Sequence, residues 1–486
     1  VTGIITAVPM GINNTVLNGV ASEKTFTYDG FNRLKTSLIK ATGPDEKKYY
    51  QLDMAYNNSH GIASKHSRWK TYRSDVCSNP AKEGANMVYH YDDTNHPNAV
   101  SSITSTIGGR YTTPWDCGTG FNVSAMDTNE YYTYDANGNM TLVENEASQD
   151  PFSLPERTVK RQLFWDTQNH LKGIAQDNAL HHYVYDAGGE RSLKSEGIVR
   201  NIFTNGNVGS GRSRTTMEPY TYYPNGYAVV NGAQLSKHYY IGSNKIAAKV
   251  TDLPSHGFAS ELTPTLNELS ATSMREVESM IQEAGYPPVA WANIDDSTLE
   301  TEETCSNAVL AAASNFNPKT SCYKKLMAGY NAALQTGTVC EFWHNFQLDD
   351  CMINQPNDEE LESQTYWVHP DHLGSGSVIT NQAGITTNWY EYMPFGEMLM
   401  EQSSGDYNNV YKYNGKELDD ATQLYYYGAR YYDPNTSVWL SVDPLAIYHP
   451  VMETEFYGDG QHNGGVFNSG NLNAYIYTYQ NPIRYI

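Results

Sequence analysis

Few residues in this chain stand at spacings that do chemistry. His369 and His372, with Asp371 between them, offer two imidazoles three residues apart, a sparse ligand set for a metal. Cys340, His344 and Cys351 fall at a spacing unlike that of structural zinc sites. The aspartates of repeated Tyr-Asp pairs could ligate calcium at turns. The dense Gly-Gly-x-Gly-x-Asp pattern of calcium-binding repeats is missing, however, so hairpin stabilisation is the stronger reading. Asp433 and Asp443 each precede a proline, which in bare sequence reads as a turn or a helix cap. Arg430 could orient a carboxylate or form a structural salt bridge. No P-loop, dinucleotide fingerprint, GxSxG or HExxH occurs. The expectation is no cofactor and no metal.

The elements that carry these residues read as short strands. The chain holds 39 tyrosines against 13 phenylalanines, in a sequence of 39% apolar and 18% charged residues. Tyrosine suits a half-buried strand, where the ring packs and the hydroxyl reaches water or a partner. In Tyr131-Tyr-Thr-Tyr-Asp-Ala-Asn-Gly-Asn-Met-Thr-Leu-Val143 the side chains alternate with a period of two, and Asp135 to Gly138 supply residues that tolerate positive φ. The unit recurs at Tyr28-Asp29, Tyr91-Asp92, Trp165-Asp166 and Tyr185-Asp186. Most steps sit near multiples of about 21 residues, and the stretch Glu144 to Arg161 reads as an insertion in the one that does not. A ribbon of hairpins, each packed on its neighbours, is expected over 1–251. A β-propeller fits the spacing less well.

Composition changes near residue 252. Ser273-Met-Arg-Glu276 is a capping box, and helices are expected there, over Cys305 to Phe316 and over Lys319 to Leu334. A helical, cysteine-containing insertion over 252–362 follows. Four of the six cysteines lie between Cys305 and Cys351, with local disulfides and free thiols both open. Lys plus Arg total 32 and Asp plus Glu 54, a formal net charge of −22, which argues against direct nucleic-acid binding. No apolar run approaches the roughly 18 residues of a membrane span. No signal peptide is recognisable, and both ends read as boundaries of a longer protein.

Over 363–486 the strands return with a specific series of motifs. His369-Pro-Asp-His-Leu-Gly-Ser375, Tyr392-Met-Pro-Phe-Gly-Glu397 and Asn414-Gly-Lys-Glu-Leu418 precede Leu424-Tyr-Tyr-Tyr-Gly-Ala-Arg-Tyr-Tyr-Asp-Pro434, Ser441-Val-Asp-Pro-Leu445 and Asn481-Pro482. This run resembles the RHS-repeat-associated core domain, in a variant similar to those of Bacteroidetes, and the hairpins upstream resemble its YD repeats. The resemblance implies a mainly β fold: a spiralling, cocoon-like YD-repeat shell with an RHS core plug at its C-terminal end. It implies a secreted bacterial effector, a polymorphic toxin, whose shell encapsulates a C-terminal toxin domain and frees it by aspartyl autoproteolysis. Asp443 matches the first catalytic aspartate of that family. The second carboxylate, the cut and the cargo are expected beyond Ile486. Two close carboxylates cannot both ionise, so one would act as acid while the other activates water. Any enzyme activity is then a single turnover, with no external substrate. Secretion-system components are implied as partners. A closed shell of this family needs more chain, so a fragment, or a second chain completing the wall, is expected. An extracellular adhesion or carbohydrate-binding protein is the alternative.

Overall fold

The computed structural model describes residues 3–7, 21–43, 46–73, 76–77, 85–107, 126–147, 156–176, 179–202, 212–217, 221–231, 234–252, 280, 306, 309, 321–336, 364–403, 407–444, 468, 471 and 473–485. Within these, one antiparallel sheet of 23 strands and a second of four account for the architecture. Neighbours in space are neighbours in sequence. Ala21–Tyr28 pairs with Leu34–Thr42, that strand with Glu46–Tyr56, and that with Ile62–Arg73. The ladder proceeds hairpin by hairpin to Met398–Ser403. Val76–Cys77 and Arg212–Met217 are short side pairings on strands that also carry the main ladder.

One turn is reused throughout, and its chemistry explains the Tyr-Asp signature. Asp29 Oδ1 accepts the N–H groups of Phe31 and Arg33, both at 2.9 Å. The Asp29 N–H donates to Arg33 O, Asn32 N–H donates back to Asp29 O, and Asn32 sits at φ 64°. A side-chain oxygen that can accept two bonds and a residue that tolerates the left-handed region are both required. The same bonds form at Asp135, Asp166, Asp186 and Asp371, with Gly138, Asn169, Gly189 and Gly374 at positive φ. Asn57 and Asn381 do the same work through an amide oxygen. Behind each turn the register slips by one residue, so Tyr28 faces Leu34 while Thr27 faces Thr36.

The tyrosine before each turn ties one hairpin to the last. Tyr56 Oη donates to Leu34 O at 2.6 Å, Tyr91 to Ile62 O at 2.9 Å, Tyr134 to Val100 O at 2.9 Å and Tyr185 to Leu171 O at 2.8 Å. Each acceptor lies just past the preceding turn. Trp165 takes a tyrosine's place because its indole N–H makes the equivalent bond to Met140 O at 2.7 Å. Trp165→Phe, which keeps an aromatic ring but loses the donor and part of the packed indole, is expected to cost about 1 kcal/mol for the bond and a further packing loss, since the Met140 carbonyl loses its partner. Chemical denaturation reads this out, and a variant as stable as the parent would show the bond to be incidental.

Two expectations about the ladder need correction. Its repeat has no fixed period, because a unit at Tyr56-Asn57 falls between Tyr28 and Tyr91, whereas Tyr91 to Tyr134 is a single step. Ladder strands of four to 12 residues set the spacing. The described residues of Glu144 to Arg161 are also ladder rather than insertion, since they belong to the paired strands Met140–Ala147 and Glu156–Trp165. The segment 252–362 is bridged by the sheet itself, since Asn244–Asp252 pairs directly with Gln364–Pro370. The helix expected over Lys319 to Leu334 runs Ser321–Thr336. The helices expected at Ser273 and over Cys305 to Phe316 lie outside the described residues but for three helical positions, as do all six cysteine side chains.

The ribbon winds back on itself. Thr386–Tyr392 is buried along its whole length. One face meets the first hairpin, where Lys24 pairs with Glu391 and Phe26 joins Trp389 in one apolar cluster. Inside the curve sits a plug made of 407–444 and 473–485. Its small sheet, Glu417–Asp419, Leu424–Tyr426, Tyr431–Asp433 and Val438–Trp439, stacks Tyr432 on Tyr477 with ring centres 4.2 Å apart.

Candidate functional site

The plug is gripped by successive wall hairpins, and the grip is polar. Lys65, 1% exposed, reaches from the strand Ile62–Arg73 to Glu397 Oε2 at 2.9 Å, Asn435 O at 2.8 Å and Ser437 Oγ at 3.0 Å. Tyr89 donates to Thr436 O at 2.8 Å, and Met140 N–H to Leu440 O at 2.8 Å. Further round, Tyr475 donates to Gly138 O at 2.8 Å and Arg161 to Thr422 O at 2.8 Å.

The strongest point is a buried charge network. Glu417 Oε2 lies 2.8 Å from Arg191 Nη2, and Glu417 Oε1 accepts Lys194 Nζ at 2.8 Å and Tyr223 Oη at 2.7 Å. Asp419 Oδ2 accepts Tyr183 Oη at 3.0 Å. Burial alone would raise the Glu417 carboxyl, but Arg191 and Lys194 outweigh it and hold it down to about 2. Next to this network His238 and Lys245 are buried without a contacting carboxylate. Lys245 Nζ lies 3.4 Å from Tyr407 Oη and 4.4 Å over the Tyr411 ring, and burial lowers it to about 7. His238 packs edge-on against Tyr411 at 4.8 Å, and burial together with Lys245 lowers it to about 3.

Asp443 stands at the plug margin. Its Oδ2 is 3.0 Å from Arg430 Nη2, its N–H donates to Ala474 O, and about a third of the side chain is exposed. Burial lowers the Arg430 guanidinium, with Asp443 opposing that shift, and the guanidinium lies 4.0 Å above Trp439. So both readings of Arg430 apply at once: it forms a salt bridge, and that bridge fixes one carboxylate oxygen. Asp433 caps its own turn by accepting the Asn435 N–H at 2.9 Å.

His369 and His372 do not converge. His369 Nε2 meets Thr380 Oγ1 at 3.1 Å, and His372 Nε2 meets Ile483 O at 2.9 Å, while Asp371 between them caps a turn. Among the described residues no cluster of three or more His, Cys, Asp or Glu could hold a metal ion. No helix among them is long and apolar enough to cross a membrane.

Sequence reasoning missed Lys65, Arg191 and the seat around Glu417. A signal existed for Arg191. The first position past each turn is buried and holds Leu34, Ile62, Val100, Met140 and Leu171, and the sixth such position holds an arginine. A charge in that register must meet a partner inside.

The geometry defines a class: a curved antiparallel hairpin wall wound around a tyrosine-rich plug and locked to it by buried charge. No protein-family profile matches the chain. A segment of the chain is 36% identical over 95 residues to Toxin subunit YenC1 of Yersinia entomophaga, 19% of this chain and 10% of that one. Another match is 36% identical over 80 residues to the tRNA nuclease WapA of Bacillus subtilis, 16% of this chain and 3% of that protein. A third is 34% identical over 84 residues to Salivary gland surface protein 1 of Aedes aegypti, of which 2% is covered. The chain therefore spans a tenth or less of these relatives. Among solved structures, TcdB2-TccC3 aligns over 95% of this chain and 21% of its own, with 14% identity and a TM-score of 0.31.

Proposed function

We propose that this chain is the wall and plug of a secreted toxin shell, which encloses a toxin domain carried in the same gene and releases it by one autoproteolytic cut. The observation that carries the reading is the plug itself, ringed by polar contacts from hairpins spread over most of the wall. The segmental likeness to a toxin subunit and to a tRNA nuclease supports a toxic cargo. In this reading Asp443 supplies one carboxylate of an aspartyl pair, and Arg430 fixes its orientation through the 3.0 Å ion pair. The second carboxylate comes from the chain past Ile486, as the RHS resemblance implies. One carboxylate takes a proton from water while the other protonates the leaving amide nitrogen, so the peptide is hydrolysed without a cofactor. A second chain completing the wall and a secretion system that exports the assembly belong to the same reading.

The test is expression of the gene with its sequence downstream of the Ile486 codon, compared with Asp443→Asn on a denaturing gel. The parent is expected to split near Ile486 and the variant to stay whole. A variant that is still cut at that position removes Asp443 from the chemistry.

A further inference from the structure

The last described residues leave the plug through a backbone that L-residues avoid. Thr478, Tyr479 and Gln480 hold φ of 46°, 53° and 59°, three left-handed residues in succession. Single residues visit this region and runs do not, because each Cβ crowds the following carbonyl. Thr478, branched at Cβ, fits it worst. Thr478 Oγ1, Gln480 Oε1 and Asn481 Oδ1 are also buried with no hydrogen-bond partner. Such a turn persists only if its surroundings hold it from both sides.

They do. Before the turn, Tyr477 is fully buried, stacked on Tyr432, with its hydroxyl bonded to Asn414 Nδ2 and Tyr427 Oη. After it, Asn481 Nδ2 donates to Asn32 O at 2.7 Å, inside the first wall turn. Two residues on, Ile483 O meets His372 Nε2 at 2.9 Å, in the turn Asp371 to Ser375. These two turns come from the two ends of the ladder, which overlap where the ribbon winds back. Between the overlapping layers lies a cavity of about 150 Å³, lined by Phe26, Ile39, Leu373, Trp389, Tyr392 and Ile483. The seam is thus loosely filled where the strap crosses it.

We propose that residues 477–485 are a strained clasp that fastens the two ends of the wall across this seam, so that unfastening it lets the seam open. The clasp rests on the shell reading for its purpose, but its geometry involves neither Asp443 nor any cargo.

Native-state hydrogen exchange on the full chain tests it, with readouts at 29–33 and 371–375. Asn481→Ala is expected to speed exchange in both turns together, about fivefold. Thr478→Gly, which relaxes the left-handed backbone, is expected to slow it about threefold in both, after glycine's own entropy cost. Thr478→Val keeps the branch and removes only the orphan hydroxyl, and its effect is expected to be smaller than that of glycine. The clasp is overturned if the two turns respond independently, if glycine speeds opening, or if valine matches glycine. These rates do not depend on cleavage, so an Asp443→Asn variant that is still cut would sink the autoprotease and leave the clasp standing.

Discussion

Glu417→Gln is expected to lower the stability of the assembled wall and plug by about 3 kcal/mol or more, a large share of the roughly 5–15 kcal/mol typical of a folded domain. The reason lies in what the substitution leaves behind. Arg191 and Lys194 converge on this carboxylate, and Arg191 has 1% of its side chain exposed. An amide keeps an acceptor for Tyr223 but takes the carboxylate from Arg191 and leaves Lys194 only Asp419, 3.9 Å away. Glu23→Gln is the control, because its partner Lys40 at 3.0 Å is about half exposed and that pair is worth less than about 1 kcal/mol. Denaturant midpoints for the three proteins decide the matter. Equal shifts for Glu417→Gln and Glu23→Gln would mean that the network does not seat the plug. Pairing Glu417→Leu with Arg191→Met should restore much of the loss, because the penalty belongs to the unpaired charge more than to the missing bond.

What the sequence made legible was the local chemistry. Asp135 followed by Gly138 specifies a turn from composition alone, since a side-chain acceptor and a positive φ are both nearest-neighbour requirements. The unit at Tyr56-Asn57 carries no Tyr-Asp pair, because the turn needs only an oxygen in that place. Omitting that one unit yields a false period. Trp165 stands in for a tyrosine in the sequence pattern, but its reason, a donor that reaches the previous hairpin, is a cross-repeat contact that no local pattern contains.

The plug contacts were less visible for a different reason. Lys65 meets residues 434–437 more than 360 positions away, and its neighbours give no hint of that partner. The RHS resemblance located the plug, and Glu417 lies within one of the motifs that carried it, yet its role depends on Arg191 from another part of the chain.

Acid should loosen the plug before it melts the wall. Three buried groups around the seat titrate in the same direction. His238 sits at about 3 in the fold, against about 6.5 in an unfolded chain. Between those values the unfolded chain binds more protons, so the stability that neutral His238 provides is complete above pH 6.5 and is lost as pH falls toward 3. Glu417, at about 2 against an ordinary 4.5, adds a second loss between pH 4.5 and 2. Lys245, at about 7 against 10.5, gives up its contribution between those values and so adds no slope below pH 7. From pH 7 to 4 the histidine dominates, with a ceiling of a few kcal/mol, about 1.4 per unit. Thermal melts at pH 7, 5.5 and 4 are therefore expected to show a steep fall for the parent and a shallower one for His238→Gln. His369→Gln is the comparison, a histidine also lowered by burial but set against Thr380 rather than Tyr411. Matching slopes for the parent and His238→Gln would place the acid-sensitive group elsewhere. A shallower slope for His238→Gln alone would locate it between the wall strand Gln234–Ile241 and Tyr411 of the plug.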